Sequence, residues 1–115
     1  MFATNRNISD LILVDKPSGM TSFGVIRELR KILGVKRIGH AGTLDPLATG
    51  LLIVGVGKGT KQLTNLIKLD KSYLAEILIG ESRTTDDMEG EVVESRDVVE
   101  AEAILRSKIA SALKK

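Results

Sequence analysis

The sequence has no cysteine and no tryptophan, a single histidine and two prolines, and its aromatic residues make up 3% of 115 positions. Without cysteine there is no disulfide, no thiolate nucleophile and no sulfur-ligated metal. The remaining carboxylates show no ligand spacing such as that of an EF-hand loop, so no metal site is expected. No apolar run approaches the ~20 residues that a membrane-spanning helix needs. The opening MFATNRNISD lacks the charged start and apolar block of a secretory leader. A cytoplasmic location agrees with these absences.

Of the residues present, 43% are hydrophobic and 28% are charged. That is enough apolar material for one compact domain with a real core, and too much for a disordered chain. The net charge of +2 is unevenly spread: residues 1–80 hold 11 Lys/Arg against 6 Asp/Glu, and residues 81–115 hold 6 against 9. A basic first part suits a polyanion such as nucleic acid, although ordinary surface charge gives the same imbalance.

Local patterns predict alternating strands and helices. Leu11–Val14 is a short apolar run ending in the turn Asp15-Lys16-Pro17-Ser18-Gly19, as a buried strand would. Ser22 is a candidate cap for a helix running to Leu33, with Val25, Ile26, Leu29, Ile32 and Leu33 on one face and Gly34 as its stop. Arg27, Arg30 and Lys31 lie off that face, free to touch phosphate or to be solvated. Leu51–Val54 reads as a second buried strand, and 60–69 as a short helix with Leu63, Leu66 and Ile67 inward. Residues 72–79 alternate as a strand, with Tyr73, Ala75, Ile77 and Ile79 on one side. An acidic loop, Gly80–Gly90, precedes a return strand at Glu91–Glu94. Asp97 and Glu100 resemble a capping box ahead of a last helix bearing Val98, Ala101, Ile104, Leu105, Ile109 and Leu113. The fold class expected is α+β: a mixed, largely antiparallel sheet with flanking helices. The last apolar face is still running at Lys114-Lys115, which suggests a domain whose other half is absent.

Two glycine-rich segments compete for a function. Gly55-Val-Gly-Lys-Gly-Thr60 sits between a strand and a helix, where a phosphate loop would sit. Lys58 is followed by Gly59, which breaks the GxxxxGK[ST] spacing, so these glycines read as a tight turn. The other segment is Gly39-His-Ala-Gly-Thr-Leu-Asp-Pro-Leu-Ala-Thr-Gly50. Asp45 precedes proline, which biases its backbone towards an extended shape. Loops held between buried elements commonly display catalytic side chains, and a single carboxylate there could serve as nucleophile or base. His40 could donate a hydrogen bond, stack on a base, or be an ordinary loop histidine.

GHAGTLDPLATG closely resembles the catalytic motif of the TruB-type tRNA pseudouridine synthases. Val14-Asp-Lys-Pro-Ser-Gly-Met-Thr-Ser22 resembles that family's first motif, and Leu52–Lys61 the strand and turn after the catalytic loop. Asp70-Lys-Ser-Tyr73 and Gly80–Gly90 resemble its later segments, so the likeness covers residues 11–94. It implies a pseudouridine synthase-like fold, with Asp45 as the nucleophile and His40 and Tyr73 at the target uracil. Lys16, Pro17 and Gly19 would support the loop without being catalytic. The reaction implied is isomerisation of uridine to pseudouridine in the T-loop of tRNA, usually at position 55, by a monomer that needs neither cofactor nor metal.

The chain departs from the family at two points. Arg83 stands where a threonine is expected, while Thr85 and Asp87 fit. The family's catalytic domain also runs well beyond this length, and its later part carries an arginine that pairs with the catalytic aspartate. Residues 1–115 are therefore expected to be the N-terminal portion of a single catalytic domain, without the remainder or any C-terminal RNA-binding domain. The alternative is a truncated, non-catalytic RNA-binding module.

Overall fold

A computed structural model of the chain describes residues 9–115. Most of the N-terminal stretch read above for a leader lies outside them. The chain divides into two compact units, one reaching Ser72 and the other Tyr73–Lys115.

In the first unit, strand β1 (Asp10–Lys16) leads into helix α1 (Ser22–Leu33), followed by strands β2 (Ile38–His40) and β3 (Gly50–Val56). A 3₁₀ helix (Gly57–Gln62) and the one-turn helix α2 (Leu63–Leu66) follow. The three strands form an antiparallel sheet in the order β1-β3-β2, with Asp10 opposite Val56, Lys16 opposite Gly50 and His40 opposite Val54. Strand alternation sends Ile12, Val14, Leu52, Val54 and Val56 to the face that gathers with Val25 and Ile26 of α1, while Leu13 and Leu51 lie exposed. Val35 and Ile38 complete this core, and Leu29 and Leu33 pack at its edge.

The sequence reading of α1 holds in its bounds but not in three details. Ile32 is 73% exposed and takes no part in the core. The cap is Thr21, whose hydroxyl accepts from the Gly24 N–H at 2.8 Å, rather than Ser22. Nor is Arg30 a free cation: its guanidinium lies 5.6 Å from the Phe23 ring centre and donates to the Ile38 carbonyl at 3.4 Å.

The GVGKGT segment is a packing device. A β-carbon on Gly59 would overlap the Asp10 carbonyl, and one on Gly55 would stand 2.9 Å from the Gly59 backbone. These glycines let the 3₁₀ helix lie directly on β1 and β3.

The second unit pairs β4 (Glu81–Arg83) with β5 (Val92–Ser95) in an antiparallel hairpin and ends in α3 (Glu102–Leu113). Arg83 ties the hairpin together, donating to Glu81 at 2.9 Å and to the Gly90 carbonyl at 2.9 Å. Part of the expected acidic loop is thus strand. Residues 72–79, expected to form a strand, form none and are exposed throughout. Alternation supplies two faces but no ladder partner, and among the described residues the ladder of this unit joins β4 to β5. The Asp97/Glu100 box does not form either: α3 starts later, after Ala101, with no side-chain cap. The fold class is α+β, and every strand pair among the described residues is antiparallel.

Candidate active site

The loop between β2 and β3, residues 41–49, carries the candidate carboxylate. It leaves β2 at His40 and enters β3 at Gly50, so the sheet fixes both of its ends. Gly42 and Gly50 adopt φ of 91° and 118°, which bends the chain where a β-carbon would be strained. The Ala41 N–H donates to the Ile53 carbonyl at 2.8 Å, extending the β2–β3 pairing into the loop.

Inside the loop, Asp45 and Pro46 open a tight turn. The Ala48 N–H donates to the Asp45 carbonyl at 3.0 Å, with Pro46 at the turn position its fixed φ favours. Asp45 is exposed. Its flanks are not. The Pro46 carbonyl accepts from the Gly19 N–H at 2.8 Å and from the Lys16 ammonium at 3.2 Å. Lys16 is fully buried and spends its other two donors on the carbonyls of Pro17 (2.8 Å) and Met20 (2.6 Å). On the other flank, Ser22 donates to the Leu44 carbonyl at 3.1 Å and accepts from the Leu44 N–H at 2.9 Å. The turn 15–20 and the start of α1 thus grip the loop on both sides of Asp45.

His40 stands at the end of β2, half-buried, with Nδ1 2.6 Å from the Gly42 carbonyl oxygen. A carbonyl oxygen can only accept, so the proton is on Nδ1, leaving Nε2 available to another group. His40 thus ends the strand from which the loop bearing Asp45 departs. Tyr73 lies in the second unit, 71% exposed. Among the described residues, no three His, Asp or Glu side chains gather closely enough to hold a metal ion, and no helix is long and apolar enough to cross a membrane.

Sequence reasoning missed β2 and the Ser22–Leu44 contact. Ile38-Gly-His40 is too short and too poor in β-branched residues to announce a strand. The adjacent hydroxyls of Thr21 and Ser22 were the available signal for the contact, since one cap position needs only one of them.

A family model described as "TruB family pseudouridylate synthase (N terminal domain)" matches residues 30–115. The tRNA pseudouridine synthase B of Corynebacterium diphtheriae is 46% identical over 106 residues, which is 92% of this chain and 35% of that protein. Its namesake in Thermobifida fusca is 54% identical over 86 residues, 75% of this chain and 29% of that protein. That of Corynebacterium efficiens is 53% identical over 89 residues, 77% of this chain and 30% of that protein. The chain spans about a third of the length of the curated relatives it matches. With the family model covering three quarters of its residues, the chain belongs to the TruB family of pseudouridylate synthases, in the region of their N-terminal domain.

Proposed function

We propose that the chain is the N-terminal portion of a single catalytic domain that isomerises a uridine of the tRNA T-loop to pseudouridine, with Asp45 as the nucleophile. One observation carries this reading: the Asp45 carboxylate is exposed on a loop whose backbone is hydrogen-bonded on both sides of it. The names of the relatives, tRNA pseudouridine synthase B, supply the substrate class.

The reaction breaks the C1′–N1 glycosidic bond, turns the uracil, joins C5 to C1′ and returns the C5 proton to solvent while N1 gains one. Atoms and charge balance without a redox step. A carboxylate can attack C1′, add to C6 of the ring, or remove a ribose proton to open a glycal route. All three need the base out of its stack, so that ring and sugar are both within reach. Tyr73, on an exposed segment, offers a stacking face for the extruded uracil. His40, whose Nε2 has no partner among the described residues, offers a polar contact to the nucleotide. The basic residues of the first unit suit the RNA backbone.

Pseudouridine formation in a T-arm stem-loop RNA tests the reading, with the Asp45→Asn variant beside the parent. Product from the parent, none from the variant and RNA affinity within about twofold support it, because an exposed side chain contributes little to the fold. Loss of binding as large as the loss of activity would overturn the role given to Asp45. RNA binding with no product from either protein would instead mark an incomplete synthase or a non-catalytic RNA-binding module.

A further inference from the structure

We propose that Ser22 is a positioning residue for Asp45, acting through the two peptide units that flank Leu44. The inference rests on the reading of Asp45 as the reacting carboxylate and adds a residue that the motif around Asp45 does not contain.

Ser22 is 2% exposed, yet it opens helix α1, a place where serine ordinarily caps. Thr21 has taken that role, so the hydroxyl is free for a distant partner. A hydroxyl has one donor and two acceptor sites. Here it donates to the Leu44 carbonyl at 3.1 Å and accepts from the Leu44 N–H at 2.9 Å, 22 residues along the chain. The Leu44 N–H belongs to the peptide plane between Thr43 and Leu44. The Leu44 carbonyl belongs to the plane that also contains the Asp45 nitrogen. One side chain thereby holds both planes leading into Asp45.

The planes leading out are held separately. The Asp45 carbonyl accepts from Ala48, and the Pro46 carbonyl accepts from Gly19 and Lys16. Four consecutive peptide planes, from Thr43–Leu44 to Pro46–Leu47, are therefore hydrogen-bonded. Pro46 restricts the Asp45 backbone further. The direction of the Asp45 Cα–Cβ bond is fixed, and only side-chain rotation remains to the carboxylate. Removing Ser22 frees the entering half of this support and leaves the leaving half intact. A displacement near 1 Å at a reacting group lowers a rate by a factor on the order of 100.

The test uses Ser22→Ala, which removes both bonds with little change in volume, and Ser22→Thr, which keeps the hydroxyl. Single-turnover isomerisation at saturating T-arm RNA and RNA affinity are measured alongside amide exchange at Leu44 and backbone order parameters at Leu44 and Asp45. For Ser22→Ala the expected results are faster Leu44 exchange, lower order at both residues, a rate lower by roughly 10- to 100-fold and unchanged RNA affinity. Ser22→Thr restores all of them. Should Ser22→Ala fail to fold, Ser22→Cys, with its weaker hydrogen-bonding group, should give intermediate values. Unchanged exchange and order in Ser22→Ala overturn the proposal, and so does an unchanged rate once the contact has opened. An active Asp45→Asn overturns the reading of Asp45 instead, and a parent without turnover marks a chain inactive on its own. The exchange and order measurements then still judge whether Ser22 holds the loop.

Discussion

The Lys16 ammonium stands 3.2 Å from the carbonyl oxygen of Pro46, thirty residues further on, and it meets no carboxylate. Its partners are three backbone carbonyls, two of them in the turn that follows β1. A buried charge is thus satisfied entirely by peptide dipoles, and it joins the end of one strand to the loop that displays Asp45.

Lys16→Met removes the donors and keeps the apolar stem. Hydrogen bonds to a charged group are each worth about 1.5–3 kcal/mol, and relief of the ammonium's desolvation offsets part of that loss. Because Pro46 keeps its bond from Gly19, the expected net loss of stability is about 2–3 kcal/mol. Urea unfolding measures it. An unchanged or raised midpoint would show that desolvation outweighs the three bonds.

Gly59→Ala places a methyl group against the Asp10 carbonyl in the backbone of β1. Backbone cannot move aside as a flexible side chain does, so a loss of about 1–3 kcal/mol is expected, as for other overpacked sites. Thermal unfolding of Gly59→Ala beside the exposed-site control Lys58→Ala reads the difference.

His40 should show the Nδ1–H tautomer in long-range ¹⁵N–¹H spectra at a pH where the ring is neutral, because Nδ1 faces the Gly42 carbonyl at 2.6 Å. A spectrum of the Nε2–H form would mean that this contact does not persist in solution.

Asp87 sets an acid limit on the β4–β5 turn. The Thr85 hydroxyl, and after it the Glu89 N–H, hold its carboxyl below the ordinary value by favouring the ionised form. A lowered folded-state pKa gives a contribution present above the unfolded value and lost as pH falls through the folded one. The Glu89 amide shift should therefore titrate with Asp87 in the acid range, and Asp87→Asn should abolish the step. A Glu89 shift indifferent to pH would rule the contact out.

The parts of the fold that were legible in the sequence are those whose own run of residues carries the apolar pattern, however distant the partner. The spacing of Val25, Ile26, Leu29 and Leu33 gave away α1 by its buried face, and the unbroken apolar runs gave away β1 and β3, although Leu13 and Leu51 are exposed where the runs read as buried. Periodicity misled at 72–79, where alternation exists without a ladder, and at Ile32, which sits on the right stripe but beyond the reach of the sheet. In the candidate site, Asp45 and His40 stood out by residue type within an unusual loop. The grip of Lys16 and Ser22 did not, since nothing in the spacing of a lysine or a serine says which carbonyl thirty or 22 residues away it will meet.

The middle place of the first sheet belongs to β3, the last of its strands to be synthesised. The local β2–β3 hairpin can close as soon as residue 56 is made, whereas β1 must wait for that same strand across a long intervening stretch. Lys16 and Ser22 travel with β1 and α1, so they reach Pro46 and Leu44 only when this late docking occurs. The support of the Asp45 loop is thus a property of the closed sheet: its contacts with Lys16 and Ser22 exist only where β1 and α1 are docked on β3.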